Sequence, residues 1–448
     1  MSVYLNKIVL FLILVCFFPP LFLLAQENEK STEIYENDST IINSTFREDS
    51  SNNIQNSNNN ESPNSIAGEL NQSAITQRNI LLKYGYFERL LKPWVLFTEK
   101  LKEKTGLDVG TSYSILYQHS SKAISAQNEN DAASGVLEFF GHWNLFNSEE
   151  REHPGFLGFK IKWAHTIFSD IPPTQLNEQI GSLWQTTATF NSQSISLDQI
   201  WWQQSFYDEK IVFRFGKVDQ SDFVDFYMYS SAKRYFLNEA FSQNPTIPFP
   251  ETGLLGFVKV IPNDIFYVLF SLGDLNATGD NLDFKSFFTK RDYFETIEFN
   301  LSPLAQKLGY GGNYHITFWH SDEIENKDIP SSKGFNINLS KHFHEKYGAF
   351  IRYGYSDGKF TEVQQLLSLG FGISGPLNNA GDFFGMAFAW GDPVQDSLRS
   401  QYVFETLYRV QLTPIAQLTP DIQLIVNPTN NPNEDFLAVF GIRLIISL

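Results

Sequence analysis

The chain has 448 residues, including 42 Phe, 19 Tyr and 8 Trp, with 19% charged residues and a net charge of −17. That surplus of carboxylates argues against nucleic acid as a partner, because phosphate contacts require clustered Lys and Arg. The one cysteine, Cys16, lies in an N-terminal apolar leader, so the mature chain is expected to have neither a disulfide framework nor a Cys–metal site.

Lys7 followed by the apolar run Ile8 to Phe18, with Ala25 before Gln26, reads as a signal peptide over residues 1–25. Residues 26–75 are rich in Asn, Ser and Glu and poor in aromatics. Nine carboxylates stand there against Lys30 and Arg47, which predicts a disordered acidic spacer. From residue 76 to 108 the period becomes helical. Ile80, Leu81, Tyr84, Phe87, Leu90 and Leu91 form one group and Trp94, Val95, Phe97 and Leu101 another, divided by Pro93. This predicts a short amphipathic helical segment on the periplasmic side.

From Val109 to Leu448 the period is two. Sixteen strands are predicted, around 109–119, 135–145, 155–168, 195–206, 210–218, 254–261, 265–273, 293–301, 311–320, 333–343, 347–355, 364–373, 382–390, 401–412, 417–426 and 436–448. Connections after odd strands tend to be long (169–194, 219–253, 274–292, 321–332) and those after even strands tend to be short (207–209, 262–264, 344–346, 413–416), with 302–310 a longer even connection. That parity is the pattern of an outer-membrane barrel, with long outside loops and short periplasmic turns. The expected fold is therefore all-β: a sixteen-stranded antiparallel transmembrane β-barrel over 109–448, preceded by a short helical segment.

The strand faces are two-sided. In the third strand Leu157, Phe159, Ile161 and Trp163 share one face, and Gly158, Lys160, Lys162 and Ala164 share the other. A lysine facing lipid at mid-bilayer costs about 2–4 kcal/mol, so Lys160 and Lys162 are assigned to the lumen. The last strand alternates likewise, with Phe440, Ile442 and Leu444 opposite Gly441, Arg443 and Ile445. The same reasoning places Arg214, Arg352, Glu138, Glu298 and Glu405 in a wet, charged lumen, where opposed charges would set up a transverse field. Trp184 and Trp201, flanked by amides, are the candidate stacking surface for a sugar ring. No nucleophile motif supports a hydrolase at the barrel rim, and neither a catalytic residue nor a cofactor is expected. His342 and His344 read as a solvated pair rather than a metal site. Asp219, Asp222 and Asp225 fit no established Ca²⁺ loop.

Three stretches resemble the carbohydrate-selective porins of the OprB family. They are residues 236–253 (FLNEAFSQNPTIPFPETG), Gly348–Gly354 with Gly375-Pro376 and Asp382–Gly385, and Glu405–Tyr408 with Leu418–Gln423, Asn427-Pro428 and Gly441–Arg443. The resemblance covers about 340 residues. It implies passive diffusion of mono- and oligosaccharides across an outer membrane of the Gram-negative type, through a pore narrowed by inward-folded loops after strands three and five. Outer-membrane lipid is the expected surround, with a monomer or a homotrimer as the assembly. The alternative is a barrel serving mainly as a structural attachment protein through its N-terminal extension.

Overall fold

The computed structural model describes residues 62–73, 85–145, 154–282, 284–302, 311–343, 346–377, 379 and 381–448. The expected signal peptide and most of the expected spacer lie outside them. The chain forms two compact units. One comprises the barrel together with residues 62–73, and the other includes the helical turns 85–97.

The barrel strands are β1 Leu107–Ser120, β2 Asp131–Trp143, β3 Gly155–Thr166, β4 Gln193–Phe206, β5 Ile211–Val218, β6 Gly253–Asn263, β7 Phe266–Asp274 and β8 Tyr293–Leu301. They continue as β9 Gly312–Ser321, β10 Ser332–Phe343, β11 Tyr347–Ser356, β12 Val363–Ser374, β13 Phe383–Pro393, β14 Gln401–Gln411, β15 Ala416–Val426 and β16 Phe436–Ser447. Each pairs antiparallel with its neighbours in sequence, and β16 closes on β1. The seam runs from Ser112 opposite Ser447 to Ser120 opposite Val439. It is locked beyond the strand end by reciprocal bonds between the Thr111 and Leu448 backbones, both 2.8 Å. Closure leaves no free edge, which a sheet in hydrocarbon requires.

Alternation decides which side chains meet lipid. Phe270, Ile297, Phe299, Ile351, Phe440 and Ile442 are exposed on the outside, while Glu298, Arg352 and Arg443 between them are buried inside. In β3 the expected faces hold. Lys160 is buried next to the exposed Ile161, and Phe159 packs outside against Phe139, with ring centroids 5.8 Å apart. Among the described residues no helix is long and apolar enough to cross a membrane; the strands do the crossing.

A stretch expected to be spacer is ordered. Residues 62–73 carry a helix, α1 (Ile66–Ser73), with Ile66 and Glu69 buried. Asn/Ser/Glu composition reads as solvated chain because it offers little apolar area. Here the partner is a lumen wall that is apolar around Ile66 and Leu70 and cationic around Glu69, so two apolar side chains suffice. The helical period before the barrel appears as α2 (Gly85–Thr105), which carries Pro93 inside it.

Candidate functional site

The lumen is occupied by two loops, 167–192 and 219–252, that fold inward from the long-loop end. Leu176, Ile180 and Trp184 of the first and Tyr227, Phe236 and Phe241 of the second form one apolar cluster with inward side chains of β11 to β16, among them Phe350, Leu366, Val403 and Leu437. Large loop side chains fit against the wall because small residues stand opposite them. A Cβ on Gly391 would lie 2.3 Å from the Trp184 ring, and one on Gly354 would lie 2.2 Å from Thr246 Oγ1.

Polar clamps fix the longer loop. Arg352 donates from NH2 to Asp225 Oδ2 at 2.5 Å and from NH1 to the Gln243 carbonyl at 2.6 Å. His315 Nε2 lies 3.1 Å from the other Asp225 oxygen. Burial opposes the Asp225 charge, and Arg352 and His315 overcome it, holding the carboxyl below its ordinary range. Asp225 has φ of 54°, a left-handed conformation that Asp tolerates better than most residues.

Glu298 accepts from the Asp225 amide at 2.8 Å, from Thr317 at 2.8 Å and from Tyr267 at 2.9 Å. Glu405 accepts the Leu237 amide at 2.6 Å and the Asn238 amide at 3.0 Å. Arg443 donates to the Ala232 carbonyl and, at 2.9 Å, to that of Tyr235. Asn238 in turn accepts from the Trp184 indole N–H at 2.7 Å, which ties the two loops together.

A second cluster sits under the N-terminal segment. Lys233 bridges Glu69 and Glu138, the latter at 2.5 Å. Burial opposes its charge, but the two carboxylates hold the ammonium above the ordinary lysine value. Lys160 donates to the Asn64 carbonyl at 3.1 Å and stands 4.0 Å from Asp222. Asp222 accepts from Gln199 at 2.7 Å; burial raises its pKa to about 7 against the pull of Lys160. Glu239 is also raised to about 7 by burial, although its carboxylate accepts the Gln185 amide at 2.9 Å.

Below the loops, toward the short-turn end, lies a cavity of about 1030 Å³. Its walls include Gln203, Arg214, Tyr227, Tyr235, Phe257 and Asn313, and residues of α1 line one side. Arg214 bonds to Gln203 through two nitrogens, at 2.6 and 3.0 Å, and stacks 3.9 Å from the Trp201 ring centroid.

Eight of the nine residues singled out from the sequence sit on strands with their side chains on the lumen face, and Trp184 sits in the inward loop with its ring against the wall at Gly391, so their surroundings differ from a simple wet lumen. Arg352, Glu298 and Glu405 are engaged with the 219–252 loop, and Glu138 with Lys233. Lys162, half-buried, lies across from Glu138 in the β2–β3 register. Trp184 and Trp201 are each 2% exposed, so neither presents a free face here. Lys233, Arg234, His315 and Arg443 were not singled out. Arg443 had a signal, being a charge on the inner face of the last strand, whereas Lys233 and Arg234 lie in a loop whose path no periodicity reveals. The three aspartates 219, 222 and 225 go to separate partners. Among the described residues no group of three or more His, Cys, Asp or Glu is placed to hold a metal ion.

A closed sixteen-stranded barrel with an apolar exterior, a charged interior and loops folded into its waist defines a porin. Comparison with known proteins agrees with this class. Residues 331–448 match the model of the carbohydrate-selective porin, OprB family, so the resemblance to that family read from the sequence holds for the two stretches in this segment, while 236–253 lie outside the match. The chain is 22% identical to Porin AaxA of Chlamydia abortus over 263 residues, and 24% identical to Porin AaxA of Chlamydia felis over the same length. Each match covers 57% of this chain and 58% of the relative, so the chain spans little more than half the length of these curated relatives. The structure of Pseudomonas putida OprB superposes with a TM-score of 0.65 at 17% identity, covering 79% of this chain and 97% of that one. The fold and the segment that matches that family point to a channel rather than an enzyme.

The matched segment has a structural meaning. Within it, Arg352, Gly354, Glu405, Gln423 and Arg443 are inner-wall residues that receive the loops, as Glu138, Glu298 and His315 do outside it. Gln423, for example, donates to the Thr186 carbonyl at 2.9 Å and accepts from Asn238 at 2.9 Å.

Proposed function

We infer that this protein is a passive outer-membrane porin for mono- and oligosaccharides and similar small polar solutes. The observation that carries the reading is the polar–aromatic cavity of about 1030 Å³ directly under the clamped loops. Gln203, Asn313 and His342 supply hydrogen-bonding groups for hydroxyls, and the half-buried Phe156 and Tyr235 supply flat apolar surface for a sugar ring. No bond is made or broken; the loops at the waist select by size, and the exchange of water for wall contacts selects by chemistry. Lys160, Lys162, Arg214, Glu138 and Asp222 set the charge a solute meets there.

The apolar outer band supports residence in the lipid of an outer membrane. Because β1 and β16 close one chain on itself, each copy contains a complete lumen whatever its assembly. The test is swelling of liposomes containing the purified protein, with a panel from mono- to tetrasaccharides. Entry faster than in protein-free liposomes, declining with solute size, is expected. Failure of every sugar to enter would overturn the reading.

A further inference from the structure

Residues 62–73 lie inside the barrel unit with a helical division of labour. Ser62, Ser65, Ile66, Glu69 and Ser73 are buried, whereas Pro63, Ala67, Gly68, Asn71 and Gln72 line the cavity. Spacings of three and four define the buried face, so it is one stripe of a helix pressed on the wall. Ile66 enters the apolar cluster of Phe140, Trp201, Phe223 and Val224. The polar half of the seat is cationic. Glu69 pairs with Lys233 and, at 3.4 Å, with Arg234; Arg234 also donates to Ser447 at 3.2 Å, and Lys160 holds the Asn64 carbonyl. A tight turn precedes the helix, where a Cβ on Gly68 would lie 2.4 Å from the Ser62 carbonyl.

We propose that the lumen contains a binding site for an acidic helical peptide and that residues 62–73 fill it in cis, as a tethered plug narrowing the channel from the short-turn side. The proposal rests on the porin reading. Four features separate a seated plug from a passing tail: an apolar anchor made by Ile66 with Leu70 beside it, one carboxylate bridging two cations, a backbone carbonyl held by a third, and a complementary face turned to the cavity. A helix is about 10 Å across with its side chains, so its withdrawal frees a large part of a sixteen-stranded lumen. Without the Glu69 charge, the cations Lys160, Lys162, Lys233 and Arg234 outnumber the carboxylates Glu138, Asp198 and Asp222 beside them. An open seat therefore favours anions.

The test compares single-channel currents of the full chain, a chain lacking residues 62–73, and Glu69→Gln, each checked for folded barrel by heat-shifted mobility in detergent gels. Deletion is expected to raise conductance by about two-fold or more, and Glu69→Gln by less, with both shifting the reversal potential toward anions. A synthetic peptide of residues 60–75 added to the deleted protein should return the current toward that of the full chain, and a peptide with Gln at position 69 should do so weakly. A folded deletion protein that conducts as the full chain does, or a wild-type peptide without effect, overturns the plug. Should the deletion prevent folding, unchanged currents in Glu69→Gln overturn it alone. Absence of current from the full chain and the deletion protein alike would instead overturn the porin reading.

Discussion

Arg352 on β11 and Asp225 in the 219–252 loop are 127 residues apart in sequence, yet their side chains meet at 2.5 Å inside the lumen. The contact joins a loop emitted by the first half of the barrel to a wall built by the second. The same geometry recurs at Glu405 and Arg443. The loop in the lumen is thus clamped in place by strands remote from it in sequence.

Removing one partner of this buried pair leaves the other charge uncompensated, a cost of about 3–5 kcal/mol. Arg352→Ala is therefore expected to undock the loop locally while the strand ladder persists. Limited proteolysis should cut within 219–252 in Arg352→Ala and leave the wild type intact. Asp225→Ala should behave alike, and the double variant should lose less than the two losses added together.

The pH dependence follows from Asp222 and Glu239. Burial raises each to about 7, above the unfolded values of about 4. The docked loop then binds more protons than the free loop between about pH 4 and 7. Docking is firmest at the acid end of that window and weakens as pH rises through about 7. Asp225, whose pKa is lowered, keeps its stabilising charge throughout this range. Current fluctuations should therefore grow from pH 5 to 8, and Asp222→Asn with Glu239→Gln should flatten the profile.

A one-residue test of the strand register uses neighbours of opposite fate. Lys160 is buried in the lumen and Ile161 faces out near the middle of β3. Ile161→Lys should cost about 2–4 kcal/mol in urea unfolding from phospholipid vesicles. Equal stability of variant and wild type would place that face away from hydrocarbon.

Gly391 leaves room for the Trp184 ring, since a Cβ there would stand 2.3 Å from it. Gly391→Val should expel the indole, break its bond to Asn238 and release the 167–192 loop. Tryptophan emission should shift to the red, and the shift should vanish when Trp184→Phe is added.

Much of the barrel is legible in the sequence because lipid on one side and water on the other enforce a period of two. β8 falls where the pattern puts it, and the inward direction of Lys160, Arg352 and Glu405 follows from alternation alone. What the period cannot carry is a partner. Glu405 looks like a pore-lining charge until the Leu237 and Asn238 amides are seen pointing at it. Trp184 looks like a stacking surface until Gly391 is seen beneath it. Residues 62–73 escape notice because a largely polar seat asks for only two large apolar side chains on the buried face, Ile66 and the half-buried Leu70.

The central claim is that the 219–252 loop, clamped by Arg352 and Glu405, sets the width of an open sugar path. Single-channel recording of the wild type beside Arg352→Ala/Glu405→Ala, with sugars of increasing size as blockers, tests it most directly. The account predicts a larger, noisier conductance in the double variant, with partial block extending to larger sugars. Equal conductance and an equal size cut-off in two folded proteins would contradict it.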